Sequence, residues 1–220
     1  MGEFVEEPIY AQLARIGKAL SSPVRLRLLD LLDQGERTVE QLADEAGVTV
    51  KNTSAQLQQL RAANLVASRK DGTRVYYRLA TPEVSTFLGH FQDFAEDRLA
   101  DLRSAVAAHL GDPAEMEPVT VEQLRERLDD PDLVVLDIRS PEEYAAGHVP
   151  GAVSLPSGEL RDKLAELPRD AKIVAYCQGP YCVASPKAVQ LLRELGYDAR
   201  PLAGGFTRWD RVGRRASRSR

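Results

Sequence analysis

Cysteine is nearly absent from this chain: two in 220 residues, Cys177 and Cys182, with none before position 177. A pair this sparse in a reducing compartment reads as reactive or metal-binding rather than as a structural staple. Histidine is scarce as well, and His90, His109 and His148 lie far apart in sequence. Two cysteines with such distant histidines make a zinc site an unlikely expectation, so no metal and no cofactor is expected. No apolar run approaches the roughly 20 residues that span a bilayer, so no membrane association is expected. The start, Met1-Gly2-Glu3-Phe4-Val5-Glu6-Glu7, is acidic and lacks the basic and apolar regions of a secretory leader, which gives a cytoplasmic expectation. No internal repeat is visible. Net positive charge is missing too: the balance is −4, which alone argues against nucleic acid.

The distribution of charge says more than its sum. Residues 51–80 carry Lys51, Arg61, Arg69, Lys70, Arg74 and Arg78 against Asp71 alone. A second basic stretch, Arg208 to Arg220, has six arginines against Asp210. Its last residues, 213–220, show no apolar periodicity and are expected to be a disordered basic tail.

The first half is helical by pattern. Ile9, Leu13, Ile16 and Leu20 recur at helical spacing. Ser22-Pro23 supplies a cap and a first-turn proline for a helix lined by Leu26, Leu29 and Leu32 that stops near Gly35. Thr38 and Gln41 form a capping-box pattern, and Gly47 ends the short helix they open. Thr49 opens the next, with Thr53, Leu57 and Leu60 on one side. Residues 65–70 and 73–79 read as strands around Asp71-Gly72, a hairpin signal. One long helix from Pro82 to Leu110 follows. Phe87, Phe91 and Phe94 are expected to pack against this domain, and part of that helix with the first one is expected to form a dimer seam.

Two short helices joined at Gly47 and followed by a basic hairpin describe a winged helix-turn-helix. The second helix would present Thr49, Lys51, Asn52, Ser54 and Gln56 to the major groove of double-stranded operator DNA. Asn52 and Gln56 share a face, and either can pair with adenine. Arg69, Lys70 and Arg74 on the wing suit phosphates or the minor groove. A symmetric homodimer would match a palindromic operator. Residues 9–110 resemble the arsenic-repressor (ArsR) family of bacterial winged-helix regulators. The matching stretches are Leu20-Ser21-Ser22-Pro23-Val24-Arg25-Leu26-Arg27-Leu28-Leu29, Thr38 to Ala43, Gln56 to Val66, and Gly72-Thr73-Arg74-Val75-Tyr76-Tyr77-Arg78-Leu79. The family's metal-sensing members carry cysteines in the third helix; here Glu40-Gln41-Leu42-Ala43-Asp44 stands there.

Gly111-Asp112-Pro113 breaks the pattern, and residues 113–118 read as a linker. The second half then alternates helix (120–128, 141–146, 160–167, 184–195) with strand (133–136, 152–155, 173–176, 199–202), the signature of a mostly parallel α/β sheet. The expected division is 1–112 for DNA binding and dimerisation, 119–212 for the α/β domain, and 213–220 for the tail. Residues 119–212 resemble the rhodanese domain. Asp137-Ile138-Arg139-Ser140-Pro141-Glu142-Glu143-Tyr144-Ala145-Ala146-Gly147-His148-Val149-Pro150-Gly151-Ala152 and Gly204-Gly205-Phe206-Thr207-Arg208-Trp209 carry that likeness.

The loop Cys177-Gln178-Gly179-Pro180-Tyr181-Cys182-Val183 lies between an apolar strand and a helix. Loop N–H groups and the positive end of the helix favour a thiolate there. The resemblance makes Cys177 the nucleophile and places the N–H groups of Gln178, Gly179, Tyr181, Cys182 and Val183 around its persulfide. Pro180 contributes no donor. The cationic side chains that hold dianionic thiosulfate in efficient sulfurtransferases are missing, so only weak thiosulfate or persulfide sulfurtransferase activity at Cys177 is left open. Cys182 can instead attack a Cys177 persulfide to give a disulfide. Asp137, Arg139, Glu143 and His148 are expected to tie loops together, and Trp209 to pack. The leading expectation is a regulator, most simply a repressor, that senses a sulfane-sulfur donor or an oxidant at the cysteine pair. The alternative is a sulfurtransferase with an attached DNA-binding domain, and a third reading is a repressor whose rhodanese domain is vestigial.

Overall fold

The computed structural model describes residues 4–163 and 167–218. Its contacts divide into two compact units that meet between His90 and Phe91. The sequence reading draws the same division later, at residue 112.

The first unit opens with α1 (Glu7–Leu20) and α2 (Pro23–Asp33). The Ser22 side chain accepts the Arg25 N–H and Pro23 fills the first turn of α2, as the sequence suggests. Thr38 and Gln41 close a reciprocal capping box on α3 (Val39–Ala46), which ends at Gly47 with φ 66°. Thr49 caps α4 (Val50–Ala62). Leu28, Leu29, Leu42, Leu57 and Leu60 of these helices are fully buried together. Strands β2 (Val66–Asp71) and β3 (Arg74–Leu79) pair antiparallel with Asp71 opposite Arg74, so the turn is Gly72-Thr73, one residue later than the sequence reading places it. Gly72 supplies the positive φ that this turn requires. A two-residue strand that the sequence does not announce, β1 (Arg37–Thr38), pairs with the outer side of β3.

The expected single helix over 82–110 is two, α5 (Pro82–Arg98) and α6 (Ala100–Leu110). Leu99 between them is extended, at φ −107° and ψ 103°. No proline or glycine causes the break. The Arg103 guanidinium donates to the carbonyls of Glu96 and Asp97, satisfying the end of α5. Phe87, Phe91 and Phe94 do not sink into a core: they stay 40%, 36% and 64% exposed.

The second unit is built on four parallel strands in the order β5-β4-β6-β7. These are β4 (Leu133–Asp137), β5 (Val153–Ser154), β6 (Lys172–Tyr176) and β7 (Asp198–Pro201). A short α7 (Pro113–Met116) occupies the expected linker. Then α8 (Val121–Glu126), α9 (Pro141–Ala146), α10 (Leu160–Lys163) and α11 (Ala184–Glu194) follow. The helix expected over 160–167 extends past α10 into residues 164–166, which lie outside the described residues.

The period-two alternation of β6 sorts two cores. Ile173, Ala175 and the following Cys177 face Ala188, Val189 and Leu192 of α11. Val174 and Tyr176 face Val121, Leu124 and Trp209. Trp209 belongs to α12 (Gly205–Arg218), a helix missed in sequence. The tail expected to be disordered is helical to Arg218; Ser219 and Arg220 lie outside the described residues. Phe206, Trp209 and Val212 anchor the helix in the second core, and alanine and arginine propagate it well.

Candidate functional site

Strand β6 ends at Tyr176, and the chain enters the cysteine loop one residue later. Cys177 is 4% exposed; Cys182 is half-buried and the more accessible of the two. The Cys177 thiol donates toward the Cys182 carbonyl oxygen at 3.5 Å. The loop turns through a bond from the Cys182 N–H to the Gly179 carbonyl. Val183 precedes α11 without capping it by a side chain. The first N–H groups of α11 therefore face sulfur rather than a cap: Ala184 serves Cys182, Ser185 serves Cys177, and the Gln178 N–H serves both.

These contacts lower the Cys182 thiol and raise that of Cys177. Its thiol falls from 9.0 to about 6, first because the Cys177 thiol hydrogen-bonds to it and then through the Ala184 and Gln178 N–H groups, with burial opposing. Cys177 is pushed up by its hydrogen bond to Cys182, by burial and by the neighbouring charge. The sequence reading expects the lowered thiol at Cys177. Cys177 is the more deeply buried of the two. Of the expected cradle, the Gln178 N–H serves both sulfurs, and the Gly179 carbonyl accepts the Cys182 N–H. Ala184 and Ser185 were missed, although a helix directly after a cysteine loop is a readable signal.

The loop is held from two sides. Arg139, buried beside Asp137 at 2.6 Å, donates to the Gln178 side-chain oxygen at 2.9 Å and to the Gly147 carbonyl at 2.7 Å. It lies 4.0 Å over the Phe206 ring. Tyr176 donates to Asp137 at 2.7 Å, and burial followed by this bond pushes its phenol up. Glu143 completes a capping box with Ser140, and His148 stacks on Tyr144 at 3.9 Å. The motif around Asp137 therefore braces the loop. On the other side, the start of α12 bonds the loop backbone: Phe206 N–H to Cys177 O and Thr207 N–H to Gln178 O, both 2.9 Å. Gly205 sits so close that a Cβ would come 2.6 Å from the Cys177 oxygen. Finally, the Tyr181 hydroxyl donates to Glu96 at 3.0 Å, and Arg208 pairs with Asp93 at 3.1 Å. Asp93 and Glu96 belong to the part of α5 that lies in the second unit. No short-range sequence signal could pair Tyr181 with Glu96.

In the first unit, Thr49 is spent on capping α4, while Lys51 is exposed on its first turn. Gln56 accepts from Arg25 at 2.7 Å and donates to Asn52 at 3.0 Å. The two residues expected to read adenine thus bond each other, and Gln56 braces α4. Ser54 is half-buried. Arg69 is held by Glu36 and Asp71 over the Tyr76 ring, so its charge is largely matched within the wing. Lys70 and Arg74 are exposed and enter no ion pair among the described residues. Among those residues no group of three His, Cys, Asp or Glu could hold a metal, and no helix is long and apolar enough to cross a membrane.

Comparison with known proteins agrees with this two-part construction. Residues 22–68 match the family described as Bacterial regulatory protein, arsR family, and residues 120–211 match Rhodanese-like domain. The chain is 44% identical over 202 residues to the HTH-type transcriptional regulator Rv0324 of Mycobacterium tuberculosis, covering 92% of this chain and 88% of that protein. The chain belongs to the ArsR-family regulators with a C-terminal rhodanese-like domain. This regulator is also 34% identical over 93 residues to the thiosulfate sulfurtransferase GlpE of Pseudoalteromonas translucida, covering 42% of the chain and 87% of that enzyme. A solution structure of the homodimeric winged helix-turn-helix domain Mb0332 of Mycobacterium bovis is 41% identical, with TM-score 0.40, covering 44% of the regulator and 89% of that fragment.

Proposed function

We propose that this transcriptional regulator binds operator DNA as a homodimer in the cytoplasm and that sulfane sulfur or oxidants acting on Cys177 and Cys182 set its DNA affinity. The observation that carries the reading is two free thiols in one loop before an α11 that has no side-chain cap, with the Cys177 thiol 3.5 Å from the Cys182 carbonyl oxygen. The ArsR relationship and the exposed Lys51, Lys70 and Arg74 support DNA as the partner. The exposed Ile9, Tyr10 and Leu13 of α1 and the exposed Phe94 of α5 support a dimer seam.

The chemistry balances without a cofactor. Cys177 attacks the outer sulfur of a thiol persulfide, RSSH, and the S–S bond of the donor breaks. The Cys177 proton passes by way of the Cys182 thiolate to the leaving thiolate, giving RSH and a Cys177 persulfide. The Cys182 thiolate then attacks the inner, Cys177 sulfur. A Cys177–Cys182 disulfide forms and hydrosulfide leaves with the bonding pair. Two thiols are oxidised and one sulfane sulfur is reduced. Cellular thiols reverse the bridge.

Intact-mass measurement after sodium tetrasulfide treatment tests this order. Wild type should lose two hydrogens as the bridge closes. Cys182→Ser should instead hold one added sulfur on Cys177. An unmodified pair in both proteins would contradict the reading. The likeness to GlpE favours a second reading, sulfur transfer by turnover, which predicts that Cys182→Ser keeps full steady-state activity with a persulfide donor.

A further inference from the structure

Within the second unit, the C-terminal part of α5 lies against the cysteine loop. Helix α5 is continuous from Pro82 to Arg98, and its residues from Phe91 onward belong to the second unit. Within that unit Glu96 accepts the Tyr181 hydroxyl, and Asp93, three residues and nearly one turn earlier, pairs with Arg208. Tyr181 is the residue next to Cys182. Arg208 is on α12, whose first N–H groups hold the Cys177 and Gln178 carbonyls. One face of α5 is therefore bonded to both elements that carry the reactive sulfurs.

The two bonds are not equal. Arg208 and Asp93 are both about half exposed (46% and 51%), and such ion pairs contribute little. The Tyr181–Glu96 bond is part-buried and has a charged acceptor, the kind worth more. It is also the one nearer the sulfurs in sequence, since Tyr181 adjoins Cys182. In the reduced loop the Cys177 thiol points at the Cys182 carbonyl. A disulfide requires an S–S bond of about 2.0 Å with the two Cβ atoms roughly 3.5–4.5 Å apart. Closing it takes the Cys177 sulfur off that carbonyl and onto the sulfur of Cys182, the residue next to Tyr181.

We propose that the Tyr181–Glu96 hydrogen bond is a redox-released strap: it holds the end of α5 while the cysteines are reduced and lets go when Cys177 and Cys182 are bridged. The proposal rests on the cysteine switch above, and adds the residues by which the loop acts on α5. Asp93–Arg208 remains as an anchor, so α5 loosens at Glu96 and beyond without leaving the unit. Glu96 and Tyr181 are positioning residues in this account; neither touches the sulfur donor.

Hydrogen–deuterium exchange of the full chain tests the strap without DNA. The probe is diamide, with closure of the bridge checked by intact mass. Bridged wild type should exchange the 94–99 segment roughly tenfold faster than reduced wild type, the scale of losing one charge-assisted hydrogen bond. Reduced Tyr181→Phe and reduced Glu96→Ala should already exchange at the bridged rate, and bridging them should add nothing. Protection of 94–99 that is equal in reduced and bridged wild type overturns the strap, as does a diamide-treated pair that never bridges. If exchange responds as expected but affinity for DNA does not move, the strap stands and the regulatory reading falls.

Discussion

Cys182, with its thiol lowered from 9.0 to about 6, should react with iodoacetamide along a pH profile with its midpoint near that lower value. Cys177→Ala removes the largest cause of the shift, so the midpoint should climb toward the ordinary value; a wild-type midpoint already near 9 would contradict the lowered Cys182 thiol. The sign for stability follows. The folded value lies below the unfolded one, so the thiolate contributes fully above the ordinary thiol range, and that contribution is lost as pH falls through about 6. Gly205→Ala makes a second residue-scale test. It strains a φ of 60° and drives a Cβ to 2.6 Å from the Cys177 carbonyl, so urea unfolding should show a loss of about 1–3 kcal/mol, whereas Gly158→Ala, with open space around it, should cost less. At this scale the two sulfurs and their loop are plain in the sequence, because two cysteines in one loop stand out. Which sulfur carries the charge is not, since that depends on burial and on donors from Ala184 and Ser185.

Arg25 shows how elements of the first unit are joined. Its buried guanidinium donates to the Lys18 and Ala19 carbonyls at the end of α1 and to Gln56 and Gln59 of α4. Arg25→Met should lower stability by about 2–3 kcal/mol in chemical denaturation, because several buried acceptors lose a charged donor; a change within experimental error would contradict its role. For DNA, Lys51→Ala, Lys70→Ala and Arg74→Ala should each flatten the dependence of log affinity on log salt by about 1, read by fluorescence anisotropy on a duplex enriched from a random-sequence pool. Arg69→Ala should change that slope less, because Glu36 and Asp71 already match its charge. The elements themselves were largely legible: caps at Ser22, Thr38 and Thr49 and the alternation of the second half all correspond to structure. The break at Leu99 and helix α12 were not. The first depends on Arg103 reaching back to two carbonyls, and the second on a core that Phe206, Trp209 and Val212 complete only after folding.

At the scale of the whole molecule, a regulator of the ArsR family carries a parallel-sheet domain whose cysteine loop is braced by Arg139, by α12 and by α5. Both domain types are visible in the sequence through their long motifs. The Tyr181–Glu96 bond joins residues 85 positions apart, which no local pattern encodes. The central claim is that the state of two sulfurs changes how the first unit holds DNA. Its most direct measurement is the affinity of the full-length protein for the pool-selected duplex, reduced and after tetrasulfide, with each sample's mass determined. The account predicts a change of about five- to 150-fold in wild type that vanishes in Cys177→Ser and reverses with added thiol. Equal affinity in reduced protein and in protein whose mass proves the bridge would contradict it.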